Sequence, residues 1–103
     1  MRKFILLNSL FAATFSHAVT ISEVKVEETY AYITQKEPKT SSQLACVTEP
    51  DKPVWILDIG SERGRGNYVL LTTAIALNKP IHIDSANECQ FGIELIKTIA
   101  LFN

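Results

Sequence analysis

One stretch limits the architecture more than any other. Asn67 to Asn78, NYVLLTTAIALN, has a helical period, and an extended segment lies on each side of it. Asn67 reads as an N-cap, its side-chain oxygen accepting from an orphan backbone N–H of the first turn. Asn78 followed by Lys79-Pro80 reads as the stop, because proline disfavours helix at the residue before it and cannot continue the ladder. At 100° per residue, Tyr68, Leu70, Leu71, Ala74, Ile75 and Leu77 make one broad apolar face. Val69, Thr72, Thr73 and Ala76 make the other, and no charge interrupts it. Two readings of that outer face stand. It is a threonine-bearing solvated surface, or Thr72, Thr73 and Ala76 form an oligomer interface with a symmetry-related helix. At about a dozen residues the stretch is well short of the ~20 apolar residues that span a bilayer.

Met1 to Ala18 has the three parts of a secretory signal peptide: Arg2 and Lys3, the apolar run Phe4 to Phe15, and the small-x-small site Ser16-His17-Ala18. Cleavage after Ala18 leaves a single small domain, residues 19–103, in a secreted or periplasmic location. A membrane anchor fits poorly, since Asn8 and Ser9 interrupt a run that is already short. A domain of this size folds alone only marginally and commonly uses a staple. Cys46 and Cys89 are the only two cysteines. In an exported chain they pair as a disulfide, and closing so long a loop stabilises by about 4 kcal/mol on the chain-entropy argument. Their distance in sequence argues against a redox-active Cys-x-x-Cys pair. With His82 they make a poor zinc set, so neither a metal nor another cofactor is expected. The whole chain carries ten Lys and Arg against eleven Asp and Glu. Arg2 and Lys3 leave with the leader, so the mature domain is mildly acidic, which argues against nucleic acid and against charge-driven binding to anionic lipid.

Ser22, Val24 and Val26 alternate with Glu23, Lys25 and Glu27, the period of a half-buried strand. Thr29 to Gln35 follows either as a second strand, with a bulge or bend near Glu28-Thr29 since no Gly or Pro marks a hairpin, or as the continuation of one long curved strand. Lys36 to Gln43 reads as an exposed polar loop, Leu44 to Thr48 as a brief strand carrying Cys46, and Glu49 to Pro53 as a turn. Val54 to Ile59 is the strongest strand, apolar on both parities except Asp58, and is placed centrally. Gly60 to Gly66, GSERGRG, reads as a crossover loop. It lacks the Lys-Ser/Thr pair of a P-loop and the third glycine of a dinucleotide fingerprint. Arg63, Arg65 and the helix N-terminus could together hold an anion or sugar acid, but a solvated loop is the favoured reading. Pro80 to Ser85 is a one-sided strand, Ser85 to Glu88 a turn, and Gly92 to Leu101 the last strand, with Lys97 breaking parity as a bulge or edge residue.

Enzymatic chemistry is not expected. His82, Asp84 and Ser85 supply triad residue types, yet they are too close in sequence to fold back as nucleophile, base and orienter. Asp58 and Glu62 as a glycosidase pair would need a cleft that a chain this small scarcely offers. Tyr30, Tyr32 and Trp55 are able to stack on sugar rings or bury in a partner surface, and equally able to sit in the core. Tyr30, Tyr32, Arg63 and Arg65 are therefore the candidate ligand-binding residues.

Ile21-Ser22-Glu23-Val24, Leu44-Ala45-Cys46, Trp55, the helix at Tyr68 to Leu77, Lys79-Pro80-Ile81-His82-Ile83 and Cys89 follow one another in an order that resembles the receptor-binding B subunits of the pertussis and subtilase cytotoxin type. Small exported bacterial proteins share that layout. The resemblance covers nearly the whole mature chain but rests on the ordering of short apolar segments. It implies an α+β chain built as a small OB-like antiparallel β-barrel or curved sheet with one central helix. It also implies a pentameric ring with the helices toward its centre and a glycan or protein receptor as partner. No serine of this chain aligns with the sugar-contacting serine of that group, so no sugar-binding residue is carried over. Likeness of fold is an associational warrant for function. The expected function is an exported, non-enzymatic binding module that is a homo-oligomeric glycan- or receptor-binding subunit. The alternative is a monomeric periplasmic inhibitor or envelope accessory protein.

Overall fold

The computed structural model describes residues 18–39 and 44–102. Residues 1–17, which hold all of the expected leader but Ala18, lie outside the described residues, as do positions 40–43 of the polar loop and Asn103. Among the described residues, five strands and one helix follow in the order β1 (Ile21–Glu27), β2 (Tyr30–Gln35), β3 (Val54–Asp58), α1 (Glu62–Leu77), β4 (Ile81–Gln90) and β5 (Ile93–Leu101). The fold is α+β with a Cys46–Cys89 disulfide, as expected. The strands form one sheet in the order β1-β2-β3-β5-β4. Neighbours are antiparallel except β3 and β5, which run parallel with Ile56 beside Leu95. That parallel pair follows from the connection. The chain leaves β3, crosses through α1, runs along the far edge as β4, and turns back beside β3 as β5. The sheet is therefore mixed, and it is open where an antiparallel barrel would be closed. Among the described residues its two flanks meet at one corner, where Val19 and Ile81 exchange both backbone hydrogen bonds at 2.8 Å.

The turns depart from expectation where an ordinary residue takes a left-handed conformation. Glu28, at φ 56°, makes the tight β1–β2 hairpin that no glycine signalled. Ser85 to Glu88 is not the turn before the last strand. It belongs to β4, as a bulged stretch with Asn87 at φ 60° and the Asn87 N–H held by the Ser85 hydroxyl at 2.9 Å. The reversal comes later, at Phe91 and Gly92, both at positive φ as a two-residue type I′ turn requires. Leu44 to Thr48 is not a strand either. Its backbone bonds go to itself, Val47 N–H to Leu44 O, and to the hairpin tip, Thr48 N–H to Gly92 O at 3.0 Å. The bulge at Lys97 is present, since Asp84 pairs with Thr98 and Ser85 with Ile96, leaving Lys97 unmatched.

The helix begins more than a turn earlier than its apolar period suggests. Ser61 is the N-cap, its hydroxyl accepting from the Gly64 N–H at 3.0 Å, so much of GSERGRG is helix and not loop. Asn78 ends it in the left-handed conformation, with the Lys79 N–H closing on Ala74 O at 2.8 Å. The buried stripe is Gly64, Asn67, Leu71 and Ala74. Gly64 lies so close to the end of β3 that a Cβ would fall 1.6 Å from Asp58 O. This close, narrow seat turns Leu70, Ile75 and Leu77 outward, against the expectation of one broad buried face. Asn67 is no cap. It is buried, its amide donating to Lys97 O at 3.0 Å and accepting from the Ile99 N–H at 3.1 Å. A parallel strand beside β5 would use that same donor and acceptor, so one helix side chain completes the ladder where β3 has ended. Leu71 and Ala74 then close a core with Val19, Ala31, Ile33, Trp55, Leu57, Ile81, Ile96 and Ile99.

Candidate functional site

Because β3 and β5 are parallel, both begin at the same end of the sheet. The turn around Cys46 is fixed there by the disulfide to Cys89 on β4, with Cα atoms 6.0 Å apart, and by Thr48 on the hairpin tip. Turn, hairpin and strand starts enclose a hollow of about 200 Å³ lined by Lys39, Glu49, Lys52, Phe91 and Glu94, with Val47 and Val54 among its apolar walls.

Its floor is a buried ion pair. Lys39 Nζ lies 3.0 Å from Glu94 Oε1, donates to Val54 O at 3.0 Å, and sits 3.9 Å above the Trp55 ring. A buried lysine needs such a set of partners, since desolvation is offset only when each donor is met. Trp55 in turn donates from Nε1 to Gln35 Oε1 at 2.9 Å, and Gln35 Nε2 donates to the carbonyls of Glu37 and Pro38. Lys39 is thus held inward, where the sequence suggested an exposed loop. The rim carries a second, exposed pair, Lys52 with Glu49 at 3.2 Å, which contributes little to stability. Phe91 stands at the edge, 65 % exposed, at φ 55° and edge-to-face with Tyr30 at 5.4 Å between centroids. A bulky side chain in that backbone region is strained, and strain of this kind is kept where the surroundings impose it.

Of the residues singled out from sequence, Tyr30 reaches this site through Phe91, and Tyr32 lies half-buried on the same strand. Trp55 is buried beneath Lys39 and offers no face to a ligand. Arg63 and Arg65 sit in the first turns of α1, beyond the other end of β3, with Arg65 Nη1 donating to Gly60 O at 3.0 Å. Tyr30, paired with Asp58, lies at that same end of β3, while Tyr32 pairs with Ile56 farther along the strand. Thr72 and Ala76 are exposed and Thr73 is half-buried. Phe91, Lys39 and Glu94 were not singled out from sequence. Glu94 had a signal, a carboxylate within an apolar strand; Lys39 had none.

His82 and Asp84 do meet, with Nε2 2.9 Å from Asp84 Oδ1, while the Thr98 hydroxyl donates to Asp84 Oδ2 at 2.9 Å. The Thr98 hydrogen bond first, then that from His82, holds the Asp84 carboxyl below its ordinary value. Ser85 is turned to Asn87, so the three residues do not form a relay. Glu37 is likewise lowered, by the Thr20 hydroxyl at 2.6 Å and then the Thr20 N–H at 3.0 Å. Among the described residues no group of His, Cys, Asp and Glu is placed to hold a metal, and no helix is long and apolar enough to cross a membrane. No family model, curated protein or solved structure matches this chain, and none supports a likeness to toxin B subunits.

Proposed function

We propose that this chain is an exported, non-enzymatic binding module whose working surface is the hollow beside Phe91, and that it takes a neutral sugar ring of a glycan. The observation that carries this reading is Phe91 itself, a large aromatic ring kept exposed at a strained turn beside a lined hollow. An exposed ring face offers CH–π stacking, and the adjoining carboxylates and ammonium groups supply hydroxyl partners in both directions. Lys39 with Glu94 and Lys52 with Glu49 are paired, so the lining has no surplus charge. This favours an uncharged polyol over an ionised ligand. The single disulfide supports an oxidising compartment.

The test is binding of the disulfide-intact protein to an array of immobilised glycans, with Phe91→Asn and Phe91→Ala beside it. Binding falls at least tenfold in both variants. Both remain folded, and Phe91→Asn is the more stable of the two by about 1 kcal/mol, because Asn accepts the left-handed backbone. Silence across the array, or binding indifferent to both substitutions, would overturn the reading.

A further inference from the structure

The sheet has a second face, turned away from α1. Ala31 and Ile33 of β2 pack with Leu71 and Ala74 of the helix, so Tyr30, Tyr32 and Thr34, which alternate with them, point to the opposite side. All three are half-buried. The cross-strand register fixes their order, with Tyr30 beside Asp58, Tyr32 beside Ile56 and Thr34 beside Val54. Tyr30 stands edge-to-face against Phe91, and Val54 lines the hollow. Tyr32 therefore lies between two positions that both border the hollow. Arg63 and Arg65 lie past Asp58, at the Tyr30 end and away from Val54. A ligand that leaves the hollow across β2 meets a second aromatic ring, and no cation of the helix stands beside it.

The neighbouring strand repeats the chemistry of the hollow's rim. Lys25 stands opposite Tyr32 and Glu27 opposite Tyr30, and their side chains, both exposed, lie 3.3 Å apart. Like Lys52 with Glu49, this pair adds little to stability and turns donors and acceptors to solvent. Glu23, opposite Thr34, adds an exposed carboxylate, which accepts from a hydroxyl and repels an anionic chain. Hollow and outer face thus offer the same two things, an aromatic ring and, at its edge, groups that bond hydroxyls. A pyranose with every ring substituent equatorial answers both, since its two faces carry only C–H and its hydroxyls lie at the edge. A β-1,4 linkage keeps successive rings of this kind in an extended ribbon, whereas an α-1,4 linkage coils the chain. We infer that the ligand of the hollow is a linear, β-1,4-linked chain of all-equatorial pyranoses, one ring stacked on Phe91 and a neighbouring ring on Tyr32.

This inference rests on the reading of Phe91 given above and extends it along β2. Its test is calorimetric titration of the disulfide-intact protein with glucose, cellobiose and cellotriose, and with maltotriose as the α-linked comparison. Cellotriose should bind at least tenfold tighter than glucose, because a linked second ring reaches its platform without a second encounter. It should also bind at least tenfold tighter than maltotriose. Tyr32→Leu, which keeps apolar bulk and loses the ring, should remove the gain, so that cellotriose binds that variant no better than glucose does. Tyr32→Phe should keep it. Thermal melting shows whether each variant is folded, and the chain-length series on the unchanged protein decides the matter where one is not. Equal affinity for glucose and cellotriose, for cellotriose and maltotriose, or for cellotriose in the Leu and Phe variants would overturn the proposal. So would a cello-oligosaccharide series that does not bind at all. In each of these cases a glycan of the array that is still lost on Phe91→Asn leaves the reading of Phe91 in place, and silence across the array removes both.

Discussion

Asp84 and Glu37 show what single hydroxyls do in a small domain. Each carboxylate accepts from a threonine that stabilises its ionised form, Thr98 for Asp84 and Thr20 for Glu37, and each is held below its ordinary value. A lowered native value means that the ionised carboxylate favours the folded state. The contribution is complete above the unfolded value and is lost as pH falls through the lowered native value. Thr98→Val should therefore unfold more easily than the unchanged protein at pH 7, with the difference narrowing as pH falls below the unfolded value of Asp84. Denaturant unfolding at a series of pH values measures this, and a difference that widens in acid would contradict it. These pairs could not be seen in sequence. His82 and Asp84, two apart on β4, share one face of the strand. Thr98 joins them only because the Lys97 bulge sets the register of β4 on β5. Lys39 was hidden for a similar reason, since its burial depends on Glu94 and Trp55, distant in sequence and near only after folding.

At the level of elements, strand positions were the most legible feature. β1, β2, β3 and β5 follow period-2 or fully apolar patterns, and the buried centre of β3 follows from its lack of a polar parity. The helix was legible at its end and not at its start. Asn78 carried the stop, but two glycines, each worth about 1 kcal/mol against helix, disguised the first turns. Those glycines act in opposite ways. Gly64 allows α1 to touch the end of β3, and a methyl group there meets the Asp58 carbonyl. Gly64→Ala should destabilise by about 3 kcal/mol or more, as forced overpacking against backbone does. Gly66→Ala, measured in dilute solution, should instead be neutral or stabilising by up to about 1 kcal/mol. Equilibrium unfolding of both variants checks the pair, and equal losses at the two sites would show that the seat of the helix is misplaced.

For the whole molecule, the disulfide ties an irregular turn to a regular sheet. The Cys46–Cys89 link spans 43 residues and fastens the turn over the hollow to β4. Reduction should lower stability by about 4 kcal/mol on the chain-entropy argument. Ligand affinity should fall with it, because the wall formed by Val47, Thr48 and Glu49 is no longer held. Unfolding and binding compared with and without reductant read both effects. The pairing itself was legible, as the only two cysteines of the sequence leave one option. The topology was not. Nothing in the strand patterns separates an antiparallel barrel from the open mixed sheet, because the difference lies in where β5 inserts, and residue periodicity does not encode strand order.

The Val19–Ile81 bridge reaches beyond the closing of one corner. Phe102 N–H also turns to this corner, 3.5 Å from Pro80 O, so the first and last described segments are fastened to the same Pro80-Ile81 dipeptide. Phe91 lies at the other end of β4, separated by ten strand residues, or up to roughly 30 Å at a strand's rise per residue. The last described segment thus lies at the far end of β4 from Phe91, whereas Thr20, next to Val19, is bonded to Glu37, two residues from the Lys39 of the hollow. A tether or fusion partner following Phe102 would therefore hold the domain at the end of β4 remote from Phe91.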